Sequence, residues 1–356
     1  MKRLVRFTVF ILLFELFTFA GQAAFTSLYV FGDGACTTTN NFSTHPTWYY
    51  GHRYCNGRVW VEVLSERQSL TYDPNKNWSY FGHYSKNMVI NVTNFIAPPD
   101  AATALFAIWV NDADFVWDVN NYNPFTTSNI AIWTNAINQS LTNHLKAIQN
   151  LYYNKGARTF IMPNAVDITK SFNWPGLSSA QTNFIRQRII DFNTSFAVML
   201  DQARSSLAGI AIYTPDTFTL LDNLVAHPAN YGFTNSSYDA TEDGYTALNG
   251  PGTNYVFWDY LNPSAKVQEI IAEITQPLIS PVQISKFTLL NGSNQLDVMN
   301  IPIGLDGFVD GSTDLIDWTS VQNIDSTNAT ESILVPSSSA PPQFYRLRFP
   351  FAWSWP

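Results

Sequence analysis

Four short apolar runs, each stopping at turn-forming residues, set the frame of this chain: "SLYVFGD" (Ser27 to Asp33), "ATALFAIWV" (Ala102 to Val110), "RTFIMPNAV" (Arg158 to Val166) and "GIAIYTPDT" (Gly209 to Thr217). Runs this short and this continuous suit strands buried on both faces of a parallel sheet. Between them lie Asn129 to Gly156 and Ser178 to Gly209, with apolar residues at three-to-four spacing and a Gly at the end of each. Such segments read as amphipathic helices with glycine stops. The alternation predicts a three-layer α/β domain with a parallel sheet, whose ligands gather at the carboxyl ends of the strands. A length of 356 residues, 46% of them hydrophobic, allows that domain and a smaller one beside it.

The texture changes near Pro281. From Ile284 to Phe349 the chain is short β-like runs broken by Gly, Asn, Asp and Ser, with no helical period. This reads as a small all-β, sandwich-like appendage. At the other end, Lys2, Arg3 and Arg6 precede an apolar stretch from Phe7 to Phe19 and then small residues, with Gly21 and Ala23 suiting cleavage before Ala24. That is the layout of a secretory signal peptide, and Glu15 argues against a retained membrane anchor. The expected organisation is a leader over residues 1–23, an α/β domain over 24–280 and a β domain over 281–356, secreted or held at the cell surface or in the periplasm.

Charge narrows the partners. Lys and Arg number 19 against 27 Asp and Glu, a net charge of -8, and no basic block could neutralise phosphates, so nucleic acid is not an expected partner. No segment after the leader is long and apolar enough to span a membrane. Cys36 and Cys55 are the only cysteines; in an exported chain they either pair or stay as two buried thiols. No Cys or His cluster has metal-ligand spacing, so neither a metal nor another cofactor is expected.

Four ordered blocks carry a family resemblance: "FGDG" at the end of the first apolar run, "RYCNGRVWVEVLS" (Arg53 to Ser65), "YGFTN" (Tyr231 to Asn235) and "FWDYLNPSAKVQEIIAEI" (Phe257 to Ile274). In order and spacing they resemble the SGNH/GDSL esterases and lipases, over roughly Phe25 to Pro277. The resemblance implies a flavodoxin-like α/β/α fold and ester hydrolysis. A Ser after Gly-Asp would attack the carbonyl, and a His three residues after an Asp would take its proton. The oxyanion would be held by the nucleophile's N–H, a second-block Gly and a third-block Asn. The β appendage, through "GSTDLIDWTSV" and "QFYRLR", resembles a C-terminal domain of exported bacterial proteins; Phe344, Tyr345 and Trp318 read there as core.

This chain departs from the pattern where the chemistry is. Asp33 is kept but the nucleophile position is Gly34; Asp259 is kept but the base position is Asn262. Glycine has no attacking group, and a carboxamide does not accept a proton near neutral pH. Gly57 matches the second-block Gly. In "WVNDADF" the Asn-Asp pair selects Asn111 and Asp112, whereas alignment without a gap puts Ala113 at the oxyanion Asn; Asn111 is the preferred assignment. None of the five histidines, His45, His52, His83, His144 and His227, follows Asp259.

Three functions follow from these residues. The first is a protein that no longer hydrolyses by the triad route and keeps its cleft for a small acyl ester or an acylated glycan. The second is an esterase or lipase rebuilt around a carboxylate base, Asp33 or Asp259, with a metal held by Asp33, Asp112, Asp114 and Asp259 as its remoter form. The third is a surface adhesion protein in which the β appendage does the binding.

Overall fold

The computed structural model describes residues 25–39, 41, 45–336 and 344–356. The expected leader over residues 1–23 lies outside them. Strands β1 (Leu28–Gly32), β2 (Leu105–Trp109), β3 (Thr159–Ile161) and β4 (Ala211–Tyr213) form a parallel sheet in the order β1-β2-β3-β4. Each strand is the inner part of one apolar run.

The runs read as continuous because successive side chains go to opposite faces and both faces are covered. Tyr29 and Phe31 join Phe106, Ile108 and Phe160 in one core, while Leu28 and Val30 join Leu105, Ala107 and Trp109 in another. Among the described residues, seven α-helices supply the covering layers: α1 (Trp60–Arg67), α2 (Ser85–Asn94), α3 (Asn111–Asn121), α4 (Ile130–Lys155), α5 (Ser179–Ser206), α6 (Thr217–Ala226) and α7 (Ala265–Ile279). The first core takes Met88 from α2, Trp133 from α4 and Phe192 from α5. The second takes Trp60 from α1, Leu224 from α6 and Ile271 from α7.

Local signals set the ends of the two long helices. Helix α4 stops at Gly156, whose φ of 83° lies in the left-handed region that glycine reaches without a Cβ clash. Helix α5 starts from Ser178, whose backbone N–H donates to Gln181 Oε1 at 2.9 Å while Gln181 N–H donates back to Ser178 Oγ. It ends at Ser206, three residues before the expected glycine.

A parallel pair, β5 (Asn235–Asp239) and β6 (Tyr255–Phe257), leads into α7. Beyond it, β7 (Gln283–Leu290), β8 (Ser293–Met299), β9 (Gly307–Ser312), β10 (Thr319–Ile324), β11 (Thr330–Pro336) and β12 (Phe344–Arg348) form two antiparallel sheets, β11-β8-β7 and β10-β9-β12. Leu296, Val298, Val309, Ile324, Ile333 and Val335 are buried between them. Tyr345 packs against that core, whereas Phe344 is partly exposed and Trp318 lies under the Arg346 guanidinium.

Contacts at two places tie this appendage to the α/β layers. Buried Arg67 on α1 donates to Ile303 O at 2.8 Å and to Glu269 Oε1 on α7 at 2.7 Å. The segment after β12 returns to the second sequence block, where Trp355 Nε1 donates to Asn56 O at 2.8 Å and Arg58 Nε donates to Pro356 O at 3.0 Å. No helix among the described residues is long and apolar enough to cross a membrane.

Candidate active site

The pairing of β1 with β2 sets Gly32 beside Trp109, so Asp33 and the first turn of α3 leave the sheet side by side. At this carboxyl edge lies a cavity of about 350 Å³, bounded by α3, α6, α7 and the turn after β6. Asp33, Gly34, Asp112, Ala113 and Asn262 all line it.

Gly34 and Asn262 face each other. A Cβ placed on Gly34 would lie 3.6 Å from Asn262 Oδ1, 3.1 Å from Phe81 Cδ2 and 3.8 Å from Tyr54 Cδ2. The Tyr54 and Phe81 rings, 4.8 Å apart, thus close over the place where a nucleophile would stand. Asn262 is fixed by Asp259. Asp259 Oδ1 accepts from the backbone N–H groups of Leu261 and Asn262 at 2.9 and 2.7 Å, and Asn262 Nδ2 donates to both carboxylate oxygens at 3.0 and 3.1 Å. Tyr49 O–H donates to Asp259 Oδ2 at 2.8 Å. Burial raises the Asp259 carboxyl above its ordinary range, and these donors pull it back. Asp259 and its donors thus fix the orientation of the Asn262 amide.

The oxyanion positions fall differently from the expectation. Asn111 does not line the cavity: its side chain is 1% exposed and its Nδ2 donates to Pro163 O at 3.0 Å. Ala113, the position selected by alignment without a gap, lines the wall instead. The reason is helical phase: α3 starts at Asn111, and the residue two further on turns to the cavity. Gly57 is also absent from the cavity wall. A Cβ there would lie 2.7 Å from Ala265 Cβ and 3.2 Å from the Pro356 backbone, so close packing under the start of α7 requires glycine at this position.

The acids divide into two groups. Asp33 Oδ1 accepts from Ala35 N–H at 2.9 Å, and burial lifts this carboxyl to about 7. Asp112 Oδ1 accepts from Val166 N–H at 2.9 Å; burial first, and the Asp33 charge second, push it well above the carboxylate range. Trp109 Nε1 faces Asp112 without closing to hydrogen-bond geometry. Asp114 instead turns away to Ser85 N–H at 2.9 Å and to Ser140 Oγ. With Asp259 held by Tyr49 and Asn262, the four aspartates proposed as a metal set do not converge. Among the described residues no group of three or more His, Cys, Asp or Glu side chains is arranged to hold a metal ion.

No histidine lines the cavity. His144 is fully buried on α4, with Nδ1 at 2.8 Å from Ser140 O, and His45 stacks on Trp48 with ring centroids 4.1 Å apart. Cys36 and Cys55 are free thiols, both fully buried. The tyrosine-rich segment between the first two blocks contributes a residue that motif comparison does not assign, Tyr49, and the Asp33 and Asp112 pair is likewise a product of strand register.

The model of the GDSL-like lipase/acylhydrolase family matches residues 28–275. The chain belongs to that family. Among solved structures it is similar to the lipase Lip_vut3 from a goat rumen metagenome, with 10% identity over 72% of this chain and 98% of that one and a TM-score of 0.44. It is also similar to Axe2, an acetylxylan esterase from Geobacillus stearothermophilus (11% identity, 73% and 95% coverage, TM-score 0.42). A third similar structure is the lipase/acylhydrolase from Enterococcus faecalis (9% identity, 70% and 92% coverage, TM-score 0.36). No curated protein is matched by this chain.

Proposed function

We propose that this is an exported member of the family that has lost hydrolysis by the Ser-His-Asp route and keeps its cleft to bind a small acyl ester or an acylated glycan. The observation that carries the reading is the juxtaposition of Gly34 with Asn262, 3.6 Å from the Gly34 Cβ position to Oδ1, inside an open cavity of about 350 Å³. Loss of nucleophile or base alone costs such an enzyme roughly a millionfold in kcat. The residual catalysis of a disabled triad, roughly 10³ to 10⁴ over water, comes from binding and the oxyanion hole. Ala113 on the cavity wall carries no amide that could hold an oxyanion. In this reading residues 1–23 are a leader, 24–280 form the cleft-bearing domain and 281–356 form the β appendage.

A second reading, hydrolysis by a water activated at Asp33, is favoured by one observation: burial lifts that carboxyl to about 7, a range that suits a general base. The two are separated by incubating the purified protein with a short-chain acyl ester and recovering the ester. Binding with the ester returned intact supports the first. Hydrolysis that disappears in Asp33→Asn supports the second.

A further inference from the structure

The residues that line the cavity sort by exposure. Trp117, Asn120 and Tyr260 are exposed and mark its mouth. Leu220, Leu221 and Leu224 of α6, with Val267 and Ile271 of α7, are buried and form an inner arm. The stretches from Leu220 to Leu224 and from Val267 to Ile271 each cover about one helical turn, ~6 Å of wall at the rise of an α-helix. An acetyl group reaches a single C–C bond, about 1.5 Å, beyond its carbonyl carbon, and would leave most of that wall without contact. The volume of about 350 Å³ likewise falls in the range of sites that enclose a drug-sized molecule.

A second observation lies at the base of the arm. Trp109, at the end of β2, belongs to the same core as Leu221, Leu224, Val267 and Ile271 and lines the cavity with only 2% of its surface exposed. Its Nε1 is buried and has no hydrogen-bond partner. The Asp112 carboxyl that it faces takes the Val166 N–H on Oδ1 instead. An indole N–H only donates, so the group that satisfies it is an acceptor, and a buried donor left open is costly.

We infer that this cleft takes a medium-chain acyl compound, with its carbonyl oxygen accepting from Trp109 Nε1, its hydrocarbon chain between α6 and α7, and its polar part at the mouth beside Trp117, Asn120 and Tyr260. The inference rests on the retained cleft proposed above and narrows its ligand to one with a chain longer than acetyl. Trp109 thereby becomes the residue that recognises the carbonyl, a role for which Asn111 is turned to Pro163 and Ala113 has no donor.

The test uses methyl ketones, which carry the acyl carbonyl and cannot be hydrolysed. Propan-2-one and octan-2-one, with 1-octene as a chain that lacks the carbonyl, are titrated against the protein by ligand-observed NMR. Octan-2-one should bind about a hundredfold or more tighter than propan-2-one, since each buried methylene contributes roughly fourfold. It should also exceed 1-octene by about threefold to tenfold, the worth of one hydrogen bond, and in Trp109→Phe, which keeps an apolar ring, that ratio should fall to about one. If the variant does not fold, the ketone-to-alkene ratio of the parent decides alone. Equal affinity for the two ketones overturns the acyl arm. Equal affinity for octan-2-one and 1-octene, or a ratio unchanged in Trp109→Phe, overturns carbonyl recognition by Trp109; both results leave the retained cleft standing. Failure of all three probes to bind overturns the inference and the retained cleft together.

Discussion

Asn262 Nδ2 lies 3.0 and 3.1 Å from the two carboxylate oxygens of Asp259, and this contact turns Oδ1 towards Gly34. The amide thus faces Gly34 without the basicity of an imidazole. The hydroxyl of Tyr49, 2.8 Å from Asp259 Oδ2, completes the arrangement. Tyr49→Phe removes a donor from a carboxylate that is 2% exposed and is expected to cost about 1–3 kcal/mol in denaturant unfolding. No change in stability would mean that Asp259 is satisfied without it.

Asp118 on α3 gives a pH signature. Burial, then the Asp114 charge, raise its carboxyl to about 8, against ~3.9 in an unfolded chain. A carboxyl that holds its proton more tightly when folded makes stability fall as pH rises from about 4 to about 8. Asp118→Asn cannot ionise, so it should leave stability nearly unchanged at about pH 4 and raise it by several kcal/mol, on the order of 5, at about pH 9. Thermal melts of both proteins at the two pH values check this; an equal shift at both would contradict it.

The thiols offer a direct reading of the second core. Cys36 and Cys55 are fully buried, burial raises both, Cys55 to about 12, and neither is bonded to the other. Thiolates are the reactive form. Both cysteines should resist alkylation in the native protein and should both label in denaturant without reductant. Labelling that appears only after reduction would show a disulfide.

Arg67 holds the β appendage to the α/β layers. Arg67→Ala would leave Glu269 buried without its partner and free the carbonyl of Ile303. Breaking a buried pair in this way costs about 3–5 kcal/mol. The expected outcome is a lower unfolding midpoint together with faster proteolysis after residue 281; an unchanged midpoint would mean that the other contacts suffice.

Much of this architecture is legible in the sequence because its signals are local. The four apolar runs contain the four strands of the main sheet, and Gly34, Asp259 and Asn262 sit in contiguous blocks whose spacing needs no alignment decision. Ala113 is the opposite case. "WVNDADF" contains an Asn-Asp pair two residues away from Ala113, and only the phase of α3 shows that Asn111 points to Pro163 while Ala113 meets the cavity. Gly57 is legible as the match to the second-block glycine, yet the steric need for glycine there comes from Ala265 and Pro356, which are over two hundred residues away. The closeness of Asp33 to Asp112 follows from the pairing of Gly32 with Trp109 across β1 and β2, which no local pattern records.

The proposed function requires an intact cleft that lacks the triad chemistry. Hydrolysis of a short-chain acyl ester by the parent protein, measured beside Gly34→Ser/Asn262→His and the same variant with Ala113→Asn, tests it most directly. Space is available: the new Cβ at position 34 needs only the partly exposed Phe81 ring to give by a few tenths of an ångström. The expected outcome is a silent parent, turnover in the double variant and a further gain of about 10² to 10³ when an amide is placed at position 113. Enzyme-level turnover by the parent, unaffected by these changes, would contradict it.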